Sequence, residues 1–179
     1  MKATGIVRRI DDLGRVVIPK EIRRTMRIRE GDPLEIFTDS GGEVVFKKYS
    51  PIGEMSAFAS QYADVLYRAC GRPVLICDRD QITASAGVAK KDLGSTKLSP
   101  SLEALIETRQ TQIIANDTAA VTPTEDSVHH VSICAPILGA GDIGGAVCLL
   151  YGDDATAPSD TDVRLTQVAA TFLGKQLES

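Results

Sequence analysis

Ahead of the interrupted stretch "KKYSPIGEM" the chain holds only about fifty residues, divided among four short strand-like runs and one short helix. The runs "GIVRRID" and "GRVVIP" flank "DDLG", whose aspartates and glycine suit a turn, and "PLEIFTD" is joined to "EVVFKKY" by "SGG", a hairpin signal. Between the two pairs, Pro19 fits the first position of a helix, where its missing N–H is not needed and its fixed φ is already helical. This predicts a short helix over "PKEIRRTMRI". Elements this short cannot bury enough apolar surface to be stable alone. The segment therefore predicts an obligate, intertwined dimer, with Val16, Val17, Ile18, Ile22 and Met26 as its shared core.

Charge divides the chain at the same place. The net charge of −4 averages a first part (residues 1–50) with 11 Lys and Arg against 8 Asp and Glu, and a second with 9 against 16. Before Glu30, nine basic residues face three acidic ones. At about 100° per residue, Lys20, Arg23, Arg24 and Arg27 share roughly 100° of helical arc, with Ile22 and Met26 on the opposite side. Guanidinium forks suit phosphate oxygens and guanine edges, and any dense cationic surface attracts DNA, so double-stranded DNA is the expected partner. No helix of helix-turn-helix length accompanies the patch, which favours readout of DNA shape alongside direct contacts. Ser50, Pro51 and Gly53 interrupt both helical and strand patterns, so the expected domains are 1–52 and 53–179.

After the joint, "GEMSAFASQYADVLYRACGR" reads as one helix. Its Met55, Phe58, Tyr62, Val65 and Ala69 are spaced 3, 4, 3, 4, the spacing of a seam between helices, although two heptads leave a plain amphipathic helix equally open. The strand pairs "RPVLICD"/"ITASAG" and "VSICAPILG"/"IGGAVCLLYG" bracket a helix in "LSPSLEALIETRQ" and a short strand in "TQIIAND". A last helix starts at "PSDTD", where Ser159 and Asp162 form a capping-box pattern, and is expected to bury Leu165, Val168, Ala169 and Phe172. The sum is an α+β domain with an antiparallel sheet and flanking helices.

Several function classes are set aside by what these residues do not spell. No apolar run of about 18 residues is present to span a bilayer and the start lacks a secretory core, so no membrane partner is expected and the address is cytoplasmic, on the nucleoid. Cys70, Cys77, Cys134 and Cys148 contain no C-x-x-C pair and sit among aliphatics, as buried apolar groups do. His129 and His130 are adjacent but find no second cluster at metal-ligand spacing. No catalytic residue, metal or cofactor is expected, and a thiol enzyme would require one cysteine to be an exposed, low-pKa thiolate. The loop "GVAKKDLGSTKLSPS", with Lys90, Lys91 and Lys97, could cover a pocket for an unknown small molecule or could simply be solvated; no ligand-binding residue is assigned.

The residues "TGIVRRIDDLGRVVIPKEIRRTMRI", with "LGRVVIPKEIRR" as the specific part, resemble the AbrB-type swapped-hairpin DNA-binding domain over residues 3–50. The second half resembles a GAF domain in the order of its elements, and the two modules in this order resemble a family of sporulation regulators. The resemblance implies a dimeric all-β barrel made by exchanged hairpins, with one short helix per chain, followed by an α+β GAF-like domain. It implies DNA contacts at Arg8, Arg15, Arg23 and Arg24, to which charge alone adds Lys2, Arg9, Lys20 and Arg27. Lys20 stands where some relatives carry an apolar residue. The implied function is transcription regulation, by activation, repression or both, with the second domain joining dimers into a tetramer and sensing a ligand or only oligomerising. Antitoxins share the first fold but normally add a short, disordered acidic tail, which the ordered-looking second half replaces.

Overall fold

The computed structural model describes residues 4–116 and 120–178, and the chain divides into two units, 1–49 and 50–179. In the first unit, α1 (Lys20–Thr25) precedes the hairpin of β1 (Leu34–Thr38) and β2 (Val44–Lys48), paired antiparallel with Leu34 opposite Lys48 and Thr38 opposite Val44. Asp39 accepts the N–H groups of Gly41 and Glu43 at the turn, and Gly42 supplies the φ of +83° needed there.

The expected strands over residues 5–18 carry no ladder within the chain. Their turn closes nevertheless: the Asp11 N–H donates to the Arg15 carbonyl at 3.0 Å, and Asp11 Oδ1 accepts from Leu13 and Arg15. Strands need a partner row of donors and acceptors, and a single copy offers none here. The same shortage shows in burial. Among the described residues of this unit only Pro19 is buried, while Val7 is 83% exposed and Ile10 and Val17 each 72%.

The second unit opens with Ser50, whose Oγ accepts the Gly53 N–H at 3.0 Å and so caps α2 (Pro51–Glu54), with Pro51 in the first turn. The single helix expected over residues 53–72 is thus two: a break at Met55 separates α2 from α3 (Ser56–Cys70). There follow β3 (Val74–Cys77), β4 (Ile82–Ala86), α4 (Lys90–Leu93), α5 (Pro100–Glu107), β5 (Gln112–Ile113), β6 (Val131–Gly139), β7 (Asp142–Leu150) and α6 (Asp160–Gln176). The five strands form one antiparallel sheet in the order β4-β3-β7-β6-β5.

Both sheet faces are covered, which is why all four residues of β3 are buried and its sequence is continuously apolar. Val74 and Ile76 point into a core with Ala59, Ala63 and Leu66 of α3 and Ala169, Ala170 and Leu173 of α6. Leu75 and Cys77 point the other way, into a core with Leu93, Leu98, Leu102 and Ile106. Helix α6 approaches strand β6 so closely that a Cβ on Gly174 would lie 2.1 Å from the Leu138 carbonyl oxygen.

This close approach overturns the burial expected for α6. Of Leu165, Val168, Ala169 and Phe172, Ala169 is buried and Leu165 half-buried, whereas Val168 and Phe172 are exposed, because the stripe facing the sheet is the small-residue one containing Ala170 and Gly174. The heptad-spaced positions of α3 behave alike: Phe58 and Val65 face outward, and Phe58 and Tyr62 pack their rings against Phe172 at 6.0 and 5.6 Å. An apolar seam therefore runs along the outer side of α3 and α6.

A half-buried clamp ties the residue after the α3 cap to the start of α6. Arg72 Nε donates to Asp162 Oδ2 at 3.1 Å, and its Nη atoms donate to the carbonyls of Thr156 and Ala157, both at 2.9 Å. Asp162 also completes the capping box with Ser159 that the sequence spells.

Candidate nucleic-acid interface

The cationic residues are presented by three local devices. In the first, the turn at residues 11–15 projects Arg15, whose Nε meets Asp11 Oδ2 at 2.8 Å while its side chain stays 70% exposed. The Arg15 backbone N–H, and then its guanidinium, hold the Asp11 carboxyl below the usual carboxylate range. An ion pair this exposed contributes little and can be exchanged for a phosphate. On the incoming arm Arg8 and Arg9 are also exposed, with Arg8 Nη1 donating to the Val7 carbonyl at 3.1 Å.

In the second device, α1 displays Lys20, Arg23 and Arg24, all exposed. Arg23 and Arg24 stand in the last turn, where the carbonyl end of the helix favours positive charge.

The third device differs from the expected helical face. Helix α1 ends at Thr25, two residues before Arg27, and Arg27 takes a φ of +52°. Its N–H donates to the Arg24 carbonyl at 3.3 Å and the Ile28 N–H to the Arg23 carbonyl at 2.7 Å, the bonding of a Schellman motif with Arg27 at the position glycine usually takes. A left-handed conformation costs a non-glycine residue roughly 1–2 kcal/mol. Arg27 thus leaves the backbone from a turn and does not continue the row of Lys20, Arg23 and Arg24. Lys2 lies outside the described residues.

Two residues that sequence reasoning passed over hold this turn. Lys48 Nζ donates to the Arg27 carbonyl at 2.9 Å and lies 3.6 Å from Asp32 Oδ2, which itself accepts the Arg29 N–H at 2.8 Å. The available signal was the alternation in "EVVFKKY", which puts Lys48 on the same hairpin face as Val44 and Phe46. Its neighbour Lys47 lies over the Phe37 ring, 4.4 Å from the centroid.

In the second unit the lysine-bearing loop is pinned by its apolar residues: Leu93 and Leu98 are buried, leaving Lys90, Lys91 and Lys97 outside. A recess of about 300 Å³ opens instead at the sheet end, lined by Asn116, His129, His130, Tyr151 and Asp153 among others, with His130 Nδ1 2.9 Å from Asn116 Oδ1. Among the described residues no group of His, Cys, Asp and Glu is arranged to hold a metal ion, and no helix is long and apolar enough to cross a membrane.

Three thiols sit where the aliphatic context put them, whereas Cys70, expected buried, is half-buried at the end of α3. Cys77, Cys134 and Cys148 are buried on adjacent strands; hydrogen bonding with Cys134 and Cys77, then burial, pushes the Cys148 thiol well up. Burial, then the Asp162 charge, raises Cys70 to about 11 against the opposing pull of Arg72. We expect the native protein to react with a disulfide reagent at pH 8 at least about 100-fold more slowly than the unfolded chain. One fast native thiol would restore the thiol-enzyme reading.

Comparison with known proteins agrees with this layout. Residues 54–178 match the family model described as stage V sporulation protein T C-terminal, transcription factor. Residues 7–53 match the one described as antidote-toxin recognition MazE, bacterial antitoxin. Over 99% of either chain the sequence is 49% identical to stage V sporulation protein T of Bacillus subtilis (strain 168). A 51-residue stretch, 28% of this chain and 52% of the relative, is 59% identical to the transition state regulatory protein AbrB of the same organism. The cofactor-binding GAF domain of the nutrient sensor CodY from Clostridium difficile superposes with a TM-score of 0.51 at 16% identity, over 66% of this chain and 83% of that one, which shows a shared fold.

Proposed function

The chain belongs to the family of stage V sporulation protein T and is a DNA-binding transcription regulator of sporulation genes, and we propose how its two parts divide that task. Residues 1–52 act as the DNA-binding domain, in a dimer whose exchanged hairpins complete one barrel; residues 53–179 act as the oligomerisation and regulatory domain. One observation carries this reading: the first unit buries almost none of its apolar residues while exposing Arg8, Arg9, Arg15, Lys20, Arg23 and Arg24. A second copy covers the apolar strands, and the covered barrel then holds the cations of both chains on one surface. Arg8, Arg15, Arg23 and Arg24 are the principal DNA contacts, with Arg9, Lys20, Arg27 and Lys2 extending the field. Chemistry is not part of the task, and the protein works in the cytoplasm on the nucleoid.

Four arginines per chain give about eight phosphate contacts per dimer, so log K against log salt should fall with a slope near −7 for duplex DNA. Fluorescence anisotropy between about 50 and 200 mM salt measures it. A slope near zero would remove the DNA reading.

The outer seam of α3 and α6 supports tetramer formation: Val65 is 64% and Val168 60% exposed, beside Phe58 and Phe172. Joining two dimers raises DNA avidity through effective concentration. We expect Val168→Glu to convert a tetramer into a dimer in light scattering at unchanged helicity; an unaltered mass would exclude this seam. The antitoxin reading, which the MazE match raises, requires a tail that orders on a toxin, whereas residues 50–116 and 120–178 already belong to a folded unit. The recess at His129 and His130 is a place for a polar effector, if the second unit senses one.

A further inference from the structure

We propose that Lys48, backed by Asp32, is a positioning residue of the DNA-binding face: it holds the end of α1 in the strained turn from which Arg27 reaches the phosphate backbone. This rests on the DNA-binding function proposed above.

Arg27 occupies a conformation that favours glycine, with its φ of +52° at the helix-terminating position. Strain of this kind persists where the surroundings over-determine it, and it gathers at functional sites. The restraint is visible. The Lys48 ammonium bonds the Arg27 carbonyl at 2.9 Å and pairs with Asp32, which accepts the Arg29 N–H, so the two side chains together hold the backbone on both sides of Ile28. The Asp32 side chain is only 3% exposed and that of Lys48 23%, so the Lys48 charge is used inward and is a poor candidate for a phosphate contact of its own. Glycine would satisfy the turn without strain. What arginine adds is a long cation, aimed from a fixed turn beside Arg23 and Arg24.

Helix-dipole stabilisation also favours a cation at this end of α1, but it acts on folding and not on DNA. A double-mutant cycle on the full chain separates these roles, with duplex DNA titrated at several salt concentrations. Arg27→Gly should keep the fold by circular dichroism, weaken binding roughly tenfold near 0.15 M salt and reduce the salt slope by about 2, for two lost guanidinium contacts per dimer. Lys48→Met should lose a similar amount in the wild-type background and almost nothing more in Arg27→Gly, while Lys48→Arg retains binding. If Lys48→Met fails to fold by circular dichroism, Asp32→Asn takes its place in the cycle with the same expectation.

Equal losses from Lys48→Met in both backgrounds would mean that Lys48 touches DNA itself, and would overturn the positioning role. Wild-type binding by Arg27→Gly would overturn the proposal outright. If Arg23→Ala with Arg24→Ala still destroys binding in that case, the DNA-binding reading survives without this refinement; if the double variant also binds normally, the reading itself fails.

Discussion

Replacing Arg23 and Arg24 together by alanine is expected to weaken duplex DNA binding by at least roughly 100-fold near 0.15 M salt and to lower the salt slope by about 3.6. The slope follows from counterion release: two charges per chain become four per dimer, each releasing about 0.9 of a counterion. Both side chains are exposed on α1, so folding should be preserved and the circular dichroism spectrum unchanged. Alanine is a good helix former, which removes backbone propensity as an explanation for lost binding. Arg164→Ala is the matched control, an exposed arginine on α6 of the acidic unit. Unchanged binding by the double variant, or an equal loss from the control, would show that the patch at residues 8–27 is not the DNA surface.

The largest effect on stability should come from Arg72→Ala. Both side chains of the Arg72–Asp162 pair are 11% exposed, and removing Arg72 leaves the Asp162 carboxylate in the first turn of α6 with the Ser159 N–H but without its guanidinium. Because that bond remains, the loss is that of a charge-assisted hydrogen bond and its neighbours, about 2–3 kcal/mol, which for a unit of this size lowers Tm by roughly 8 °C. Three further hydrogen bonds to Thr156 and Ala157 disappear with the guanidinium. A loss below about 1 kcal/mol would mean that water replaces these bonds and that the clamp is ornamental.

The same pair sets an acid limit. Burial alone pushes the Asp162 carboxyl up, but the bonds from Ser159 and then the Arg72 guanidinium outweigh it and hold the group below the usual carboxylate range. A depressed folded value means that the contribution is complete above the ordinary carboxylate pKa, near 4, and is lost as pH falls through the folded value. Stability measured by denaturation should therefore be insensitive to this group above about pH 5 and decline below about pH 4. Arg72→Ala should show a shallower decline in that window, since one cause of the depression is gone.

Local rules read much of this molecule directly. The "SGG" hairpin, the Ser159–Asp162 box and the four core strands of the second unit occur where turn chemistry, capping and apolar runs put them, while Pro19, expected as the first helical residue, precedes α1 with an extended ψ of 149°. The failures have a common origin in contacts between distant parts of the chain. Periodicity assigned the α6 stripe of Leu165, Val168, Ala169 and Phe172 to the core, whereas the stripe that meets the sheet is the one with Ala170 and Gly174, because only small residues allow the helix to approach β6. The strands over residues 5–18 need a partner outside one copy. The turn at Arg27 that follows α1 is bonded by Lys48, 21 residues away, a contact that no local window contains.

The amino-acid sequence by itself determined the division of the chain, the sign of charge on each part and the residue types able to grip a polyanion, since these depend on composition and local order alone. Tertiary structure decided how those charges are aimed. It took Arg27 off the helical row, bound Lys48 inward to Asp32 and turned Val65 and Val168 away from the core. The physical reason is that orientation is set by the packing of remote segments against one another, a property that no window of neighbouring residues contains.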